Sequence, residues 1–173
     1  MRPMYLIPKR SSLMRRFRIS LVAVVAAALA AATAASALAP KNVPFSAKYS
    51  GQASTKVTGD VAAISATGTG TGTLIGAGKI TGAGTGDSSQ QPCVPFGGTG
   101  TMTGAHGLVA FKLTSGASGC GDEGGHVFSI KGYVTVTRAT GKLLKAKGTL
   151  KFTGIYNRDD GTFSVKFTGT LKK

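Results

Sequence analysis

The stretch ATGTGTGTLIGAGKITGAGTG, residues 66–86, decides the fold. All eight of its glycines occupy even-numbered positions, and the odd-numbered positions hold mostly threonine. A period of two is that of an extended strand, whose alternate side chains face opposite sides. Threonine is β-branched and suits strands, and interior glycines allow the sharp coiling that closes a small barrel. The stretch therefore predicts one long strand, or two strands joined near Gly76–Gly78.

The same glycines do not form a phosphate-binding loop. A Walker loop needs Ser or Thr after its Gly-Lys pair, and here Ile80 follows Gly78-Lys79. The dinucleotide pattern G-x-G-x-x-G occurs once, at residues 119–124, but there it contains two carboxylates that would repel a pyrophosphate. The strict alternation also argues against a flexible linker. The glycines therefore indicate a scaffold and not a nucleotide site.

Alternation continues through the rest of the chain after residue 43. In residues 162–171, Phe163, Val165 and Phe167 share one face, and threonine, serine and lysine share the other. Eight strands are predicted, near 43–51, 53–67, 69–85, 96–104, 107–114, 126–137, 147–156 and 162–172. A sheet of this size with almost no helix closes most naturally into a barrel. The predicted fold class is all-β, a single antiparallel barrel of about eight strands, with a two-layer β-sandwich as the alternative.

The N-terminus has the order of a secretory signal peptide. Four arginines between residues 10 and 18 precede an apolar run and the small residues Ala35-Ser36-Ala37. Cleavage is expected between residues 37 and 39, and Met14 is a possible true start. This predicts a Sec-type signal peptide over 1–37, a linker over 38–42 and a barrel domain over 43–173, in a secreted, periplasmic or cell-envelope protein. An uncleaved membrane anchor is the alternative.

The chain has two cysteines, Cys93 and Cys120, and both follow the predicted signal peptide. Two cysteines in an exported chain are most simply a disulfide, because export normally oxidises thiols. Such a bond would stabilise the fold by roughly 3–4 kcal/mol through the entropy of the unfolded chain. We expect it to tie the loop before one strand to the loop before another.

No pattern in the sequence predicts a catalytic residue, a metal site or a cofactor. Glu123 and His126 have an E-x-x-H spacing, but Gly124-Gly125 prevents the helix that would make it a metal half-site. The six acids lie almost entirely in predicted turns, and no serine has a histidine–acid pattern beside it. These patterns favour a protein that is not an enzyme, although they do not decide the question.

Basic residues concentrate in the C-terminal third. From Lys131 onward there are ten basic residues against two acids, whereas residues 41–130 hold five against four. If residues 145–151 are extended, the lysines at odd positions there project from one face. The predicted patch could bind an anionic envelope surface such as lipid headgroups or wall polymer; the alternative is a solvated face that keeps edge strands soluble. Nucleic acid is not predicted, since stacking aromatics are not interleaved. The patch consists of Arg138, Lys142, Lys145, Lys147 and Lys151.

Three stretches, at residues 98–107, 134–148 and 161–170, resemble the secreted bacterial proteins with an allene oxide cyclase/dirigent-like β-barrel. The resemblance covers roughly residues 43–172 and implies a barrel of about eight antiparallel strands. The plant cyclases isomerise a fatty-acid epoxide inside the barrel with the help of a buried carboxylate. No carboxylate lies on an apolar strand face here, so no catalytic residue is carried over.

Together these patterns predict an exported, monomeric, non-enzymatic barrel. Its expected partner is an apolar small molecule inside the barrel or an anionic envelope surface outside it. The alternative is an isomerase or cyclase of the allene oxide cyclase/dirigent type acting in the barrel interior. A polar pair in an open cavity would favour the enzyme, and a filled interior would exclude it.

Overall fold

The computed structural model of the protein describes residues 41–173. The predicted signal peptide and residues 38–40 of the predicted linker lie outside the described residues. The described residues form nine strands and a short 3-10 helix, Gly141–Leu143, which lies between the seventh and eighth strands. The strands are β1 Asn42–Thr58, β2 Val61–Gly72, β3 Gly76–Asp87, β4 Cys93–Gly104, β5 Gly107–Leu113, β6 Ser118–Gly121, β7 Val127–Ala139, β8 Thr149–Asn157 and β9 Thr162–Lys172.

The strands form one antiparallel sheet that closes on itself. The wall runs from β1 through β2 and β3 to β4, then to a position shared by β5 and β6, and then through β7, β8 and β9 back to β1. β5 and β6 each pair with both β4 and β7, at different positions along those two strands. The predicted antiparallel barrel of about eight strands is therefore confirmed, and the two-layer sandwich is excluded.

The glycine-rich stretch that predicted the fold forms most of β2 and β3. The two strands are joined by the turn Thr73–Ile75, a few residues before the predicted junction. Gly72 pairs with Gly76 across that turn, so the odd number of residues between them keeps the even-numbered glycines on the inner face of both strands. Their threonine neighbours are exposed on the outside. The alternation in the sequence is thus the inside–outside alternation of the barrel wall.

Inward glycines let aromatic rings lie directly on the backbone of the wall. A Cβ added at Gly70 would stand 2.7 Å from Cδ1 of Tyr49, and one added at Gly100 would stand 2.5 Å from Cζ of Phe111. Cβ atoms do not come so close to other atoms in folded proteins. At Gly100 a larger residue would require movement of the Phe111 ring, and at Gly70 it would also collide with the Lys48 carbonyl oxygen, so the backbone would have to move. Each ring belongs to the residue paired with the glycine on the neighbouring strand, Tyr49 with Gly70 and Phe111 with Gly100, so glycine here lets a ring pack against the adjacent strand.

The two ends of the barrel differ. One end carries the β2–β3, β4–β5 and β7–β8 connections together with Lys41 and Lys173, and we call it the closed end. We call the opposite end the open end. Ile75 and Leu143, each 0% exposed, come from two of the connections and plug the closed end. The half of the barrel behind them is densely filled with apolar side chains. Its fully buried members include Met102, Val109, Val136, Leu150 and Leu171.

Two predicted strand boundaries, near residues 52 and 68, were wrong, and residue 68 lies inside the continuous strand β2. Residues 43–51 and the start of 53–67 form one strand, β1, which turns at Gly59-Asp60 and not near residue 52. Gly51 carries no turn because it lies inside a paired strand, opposite Gly68, where a Cβ would collide with the neighbouring backbone. The four-residue strand β6 was not predicted, because it is too short to show a period.

The predicted Cys93–Cys120 disulfide is present. Its placement differs from the prediction in that it does not tie two loops. Cys93 and Cys120 are directly paired residues of the neighbouring strands β4 and β6, with their Cα atoms 3.9 Å apart. The bond therefore fastens the short strand β6 into the wall at the open end.

Candidate functional site

The half of the barrel nearer the open end contains a cavity of about 800 Å³. Its lining is mostly apolar. Every strand of the wall contributes to the lining, but the parts of the strands at the closed end do not. A cavity of this size falls within the range of small-molecule sites in proteins, about 300–1,000 Å³. The inward side chains around it include Ile64, Ile80, Phe96, Leu113, Phe128, Ile130, Phe152, Tyr156 and Phe163.

The cavity exists because the two sides of the wall carry inward residues of very different size. On β2, β3 and β4 the inward positions beside the cavity are mainly alanine and glycine, such as Ala66, Gly82 and Gly84. A Cβ added at Gly82 would meet only one atom within 4 Å, a backbone oxygen at 3.6 Å, so open space lies directly beside this residue. The facing strands cannot fill that space, since their side chains end short of it.

Aromatic rings from β4, β5, β8 and β9 form the rest of the lining and the floor of the cavity. The rings of Phe96 and Phe152 lie 6.2 Å apart, and that of Phe152 lies 6.1 Å from Phe167, which in turn contacts Phe111 at 5.5 Å. These centroid distances and the tilted planes are typical of favourable aromatic pairs. An apolar ligand would therefore rest between a ring-lined face and a nearly flat backbone face.

The barrel interior offers few polar groups. Among the described residues no charged or polar residue is buried outright, and the hydroxyl of Tyr49 is the one buried side-chain polar atom without a hydrogen-bond partner. Burial raises the pKa of Tyr49, so its hydroxyl stays protonated. The Tyr156 hydroxyl lies 3.4 Å from Thr55 Oγ1 near the mouth. The described interior thus holds no pair of groups placed to exchange a proton with a substrate.

Acidic residues surround the cavity mouth. All six acids of the chain belong to connections or strand ends at the open end: Asp60, Asp87, Asp122, Glu123, Asp159 and Asp160. Two basic residues, Lys56 and Arg158, lie close to strand ends at the open end, and Arg158 lines the mouth together with Ser88 and Gln91. The rim therefore carries a negative field around an apolar opening.

Hydrogen bonds keep three of these acids ionised. The hydroxyl of Ser89, 2.6 Å from Asp87, holds the pKa of that carboxyl below its ordinary value. The backbone N–H of His126 lowers the pKa of Asp122, and the Thr162 hydroxyl lowers that of Asp160. The rim consequently stays negative into the acidic range.

His126 connects two loops of the rim. Its Nδ1 lies 2.8 Å from Asp159 Oδ1, and its backbone carbonyl accepts a hydrogen bond from the Arg158 N–H. The hydrogen bond to Asp159 raises the pKa of His126. Glu123 has no part in this pair, so the E-x-x-H spacing in the sequence does not bring its two ends together. Within residues 41–173, no cluster of three or more His, Cys, Asp or Glu side chains is arranged to hold a metal ion.

The predicted basic patch is divided by the structure. Arg138 lies on β7 and Lys151 on the outer face of β8, opposite Tyr133. Lys142, Lys145 and Lys147 lie at the closed end, in the β7–β8 connection. That connection contains the 3-10 helix and a left-handed residue, Lys145 with φ 64°, so the expected extended segment with lysines on one face does not form.

The closed end also gathers lysines that are distant in sequence. Lys41, Lys172 and Lys173 lie beside the β7–β8 connection, through backbone hydrogen bonds such as that from the Lys147 N–H to the Lys172 carbonyl, 2.8 Å. Sequence reasoning missed them because they lie at the two ends of the barrel domain. The signal that could have found them is the pairing of the first and last strands, which brings the ends of a closed barrel together.

No known protein family, curated protein or solved structure matches the chain. The fold and the cavity alone define its class: a small antiparallel β-barrel with one disulfide and an apolar interior cavity that opens at one end. The resemblance to allene oxide cyclase/dirigent-like barrels stays a prediction. Over residues 41–173, no helix has both the length and the apolar character needed to cross a membrane.

Proposed function

We propose that the protein binds a neutral, apolar small molecule in the cavity of its open half. The observation that supports this is the empty space between the glycine-rich side of the wall and the aromatic side, at a size suited to one small ligand. Burial of a ligand between them would remove apolar surface from water on both partners, which supplies the free energy of binding.

The charge of the rim favours a neutral ligand over an anionic one. Six acids surround the mouth, and hydrogen bonds keep at least Asp87, Asp122 and Asp160 ionised. An anionic molecule entering the barrel would pass this field and then lose its hydration in an interior without a buried cation. A neutral molecule meets neither cost.

Binding without catalysis fits the interior better than the alternative cyclase or isomerase activity. Such an activity needs polar groups positioned at the reacting atoms, and the described cavity walls bring no acid–base pair together. Tyr49 supplies one isolated hydroxyl on the inner face of β1. No observation favours the enzyme as a second candidate function.

We further propose that the protein works outside the cytoplasm. The disulfide is consistent with an extracellular or periplasmic location, because such bonds persist in oxidising compartments. The signal-peptide pattern of residues 1–37 supports the same location. N-terminal sequencing of the exported protein tests this, and a mature N-terminus near residue 38 is the expected result.

Titration with the neutral fluorophore N-phenyl-1-naphthylamine tests cavity binding. We expect saturable binding with a dissociation constant in the range of roughly 1–10 μM. The variant Gly82→Leu should weaken it at least about tenfold, because the new side chain enters the open space beside Gly82. The matched control is Thr67→Leu, which adds the same side chain at an exposed position on the outer face of β2 that does not line the cavity.

Circular dichroism spectra of both variants should match the wild type, which separates loss of the site from loss of the fold. If Gly82→Leu binds the fluorophore as tightly as Thr67→Leu does, the cavity is not the binding site and the proposed function is wrong.

A further inference from the structure

The charges of the protein are separated along the barrel axis. Every acid lies at the open end, whereas the outer wall and the closed end carry basic residues without an acid among them over residues 41–173. Six exposed lysines belong to the closed end: Lys41, Lys142, Lys145, Lys147, Lys172 and Lys173. The molecule is therefore strongly dipolar, with its positive end opposite the cavity mouth.

Backbone hydrogen bonds hold these lysines in one continuous face. Lys41 and Lys173 exchange two N–H···O bonds of 3.0 Å, and Lys147 and Lys172 exchange two of 2.8 Å. The side chain of Lys173 donates a hydrogen bond to the Lys142 carbonyl, 2.9 Å, which joins the C-terminal strand to the 3-10 helix. The positive charges are thus fixed by the fold and do not depend on flexible tails.

Two leucines project from the same face. Leu144 is 54% exposed and Leu74 is 38% exposed, and each belongs to a connection that contacts the β4–β5 turn. His106 in that turn donates its backbone N–H to the Ile75 carbonyl and accepts from the Lys142 N–H through its own carbonyl. The two leucines therefore flank one turn, with lysines around them.

The backbone is strained at this face. Leu74 has φ 71° and Lys145 has φ 64°, and they are the two non-glycine residues of the described chain in the left-handed region. Leucine and lysine rarely adopt this conformation, and strain of this kind concentrates where a side chain is held for a function. Here the left-handed backbone places the apolar side chain of Leu74 and the basic side chain of Lys145 on the same face.

We propose that the closed end docks on an anionic lipid bilayer. The lysines would bind the headgroup phosphates, and Leu74 and Leu144 would enter the boundary between the headgroups and the acyl chains. The cavity mouth would then point away from the membrane. This inference does not rest on the proposed function, because it uses no residue of the cavity.

The exposed leucines favour lipid over an anionic wall polymer. A polymer in water gives an exposed leucine no apolar surface to enter, whereas a bilayer does. Exposed apolar side chains also occur at the open end, at Val57, Val61 and Val127, but acids surround them there. Tyr133 and Ile155 also project from the basic outer wall, and the closed end differs from that wall in gathering six lysines around its two leucines.

Flotation with lipid vesicles tests the proposal. The soluble exported protein is mixed at low and at moderate salt with vesicles of phosphatidylglycerol and phosphatidylcholine, and with vesicles of phosphatidylcholine alone. We expect flotation with the first and not with the second. Higher salt should reduce it, because exposed charges are screened over about 8 Å at physiological ionic strength.

Three sets of variants locate the contact. The lysine set is Lys142→Gln, Lys145→Asn and Lys147→Gln, with asparagine chosen because it tolerates the left-handed backbone. The leucine set is Leu74→Asn and Leu144→Ser. The control set removes the same charge from the middle of the outer wall, with Lys48→Gln, Lys131→Gln and Lys166→Gln.

The lysine set should lower the partition coefficient roughly 100-fold at low salt, since each lysine at an anionic surface contributes about 1 kcal/mol. The leucine set should lower it about tenfold at both salt concentrations, because burial of apolar area is not screened. The control set should change it less than about threefold, since those lysines lie further from the bilayer.

An equal loss in the lysine and control sets would show attraction by net charge alone and would overturn the proposal. Retention on purified cell wall without flotation, insensitive to the leucine set, would identify a wall polymer as the partner and overturn it as well. Absence of wild-type flotation with phosphatidylglycerol vesicles at low salt would do the same. None of these results bears on fluorophore binding in the cavity.

Discussion

The closed and open halves of the barrel follow the same alternation of inward and outward residues but differ in what the inward positions hold. In the closed half they hold Met102, Leu150, Leu171 and similar side chains, which fill the interior. In the open half, β2, β3 and β4 contribute glycine and alanine, and a cavity of about 800 Å³ remains. Alternation thus determines that a barrel forms, and the size of the inward residues determines whether it is filled.

The cavity leaves the open half with fewer stabilising contacts between apolar side chains. The disulfide lies in the same half and stabilises it in their place. Packing of large apolar side chains stabilises the closed half, including Ile75 and Leu143 from its connections. At the open end Cys93 and Cys120 join β4 to β6, beside the cavity residues Phe96 and Gly119. The two halves should therefore respond differently to loss of the disulfide, of core volume and of glycine.

Loss of the disulfide should have the largest effect. The bond spans 27 residues of sequence, so replacing both Cys93 and Cys120 with alanine should lower the free energy of unfolding by about 3–4 kcal/mol. Hydrogen exchange should increase most in β6 and in the open-end parts of β4 and β7. Urea unfolding measures the first effect and mass spectrometry the second. A uniform increase across both halves would contradict the assignment of the disulfide to the open half.

Removal of core volume should cost more in the closed half than beside the cavity. Leu150 is 0% exposed, and Leu150→Ala should destabilise the protein by about 3 kcal/mol by opening a new void. Ile130 is partly buried and borders space that is already empty, so Ile130→Ala should cost about 1 kcal/mol. Urea unfolding of both variants gives the comparison, and equal losses would indicate that the open half is packed as tightly as the closed half.

Alanine in place of glycine should separate the two kinds of inward glycine. Gly100→Ala should destabilise by about 1–3 kcal/mol, because the new Cβ meets the Phe111 ring. Gly82→Ala should be neutral or stabilise by about 0.5 kcal/mol, because it meets no close atom and restricts the unfolded chain. Thermal unfolding of both proteins tests this. Destabilisation by Gly82→Ala would mean that the space beside Gly82 is smaller than described.

The smallest effect concerns pH and the rim. The hydrogen bond to Asp159 raises the pKa of His126 above its ordinary value of 6.5. The pair therefore stabilises the folded protein below pH 6.5, and this contribution is lost as the pH rises through the raised pKa. An NMR titration of the His126 ring should show a midpoint above 6.5, and Asp159→Asn should lower it. An unchanged midpoint in Asp159→Asn would contradict the pairing.

The sequence predicted the barrel because alternation is a local property. The even-numbered glycines of residues 66–86 face inward in both β2 and β3, and the final hairpin of β8 and β9 follows its predicted positions. The turn at Gly59-Asp60 was missed because a break was predicted near residue 52, whereas Gly51 lies inside β1 and allows close approach to Gly68. Local pattern does not distinguish these two uses of glycine.

The cavity and the closed-end face could not be predicted in the same way. The empty space beside Gly82 depends on how far Phe111, Phe152 and Phe163 reach from facing strands, which requires the register of the whole barrel. The basic face combines Lys41 with Lys173, which are far apart in sequence and adjacent only once the barrel closes. Charge counts identified the basic C-terminal third but not its position on the barrel.

Isoleucine-methyl NMR with N-phenyl-1-naphthylamine tests the central claim most directly, because the described chain places its isoleucines in three distinct regions. Ile64, Ile80 and Ile130 line the cavity, Ile75 plugs the closed end, and Ile155 is 53% exposed on the outer wall. The account predicts that added fluorophore shifts the methyl signals of the three cavity residues and leaves those of Ile75 and Ile155 unchanged. Shifts at Ile155 with unmoved cavity signals would place the ligand on the outer wall and contradict an open, ligand-binding barrel half.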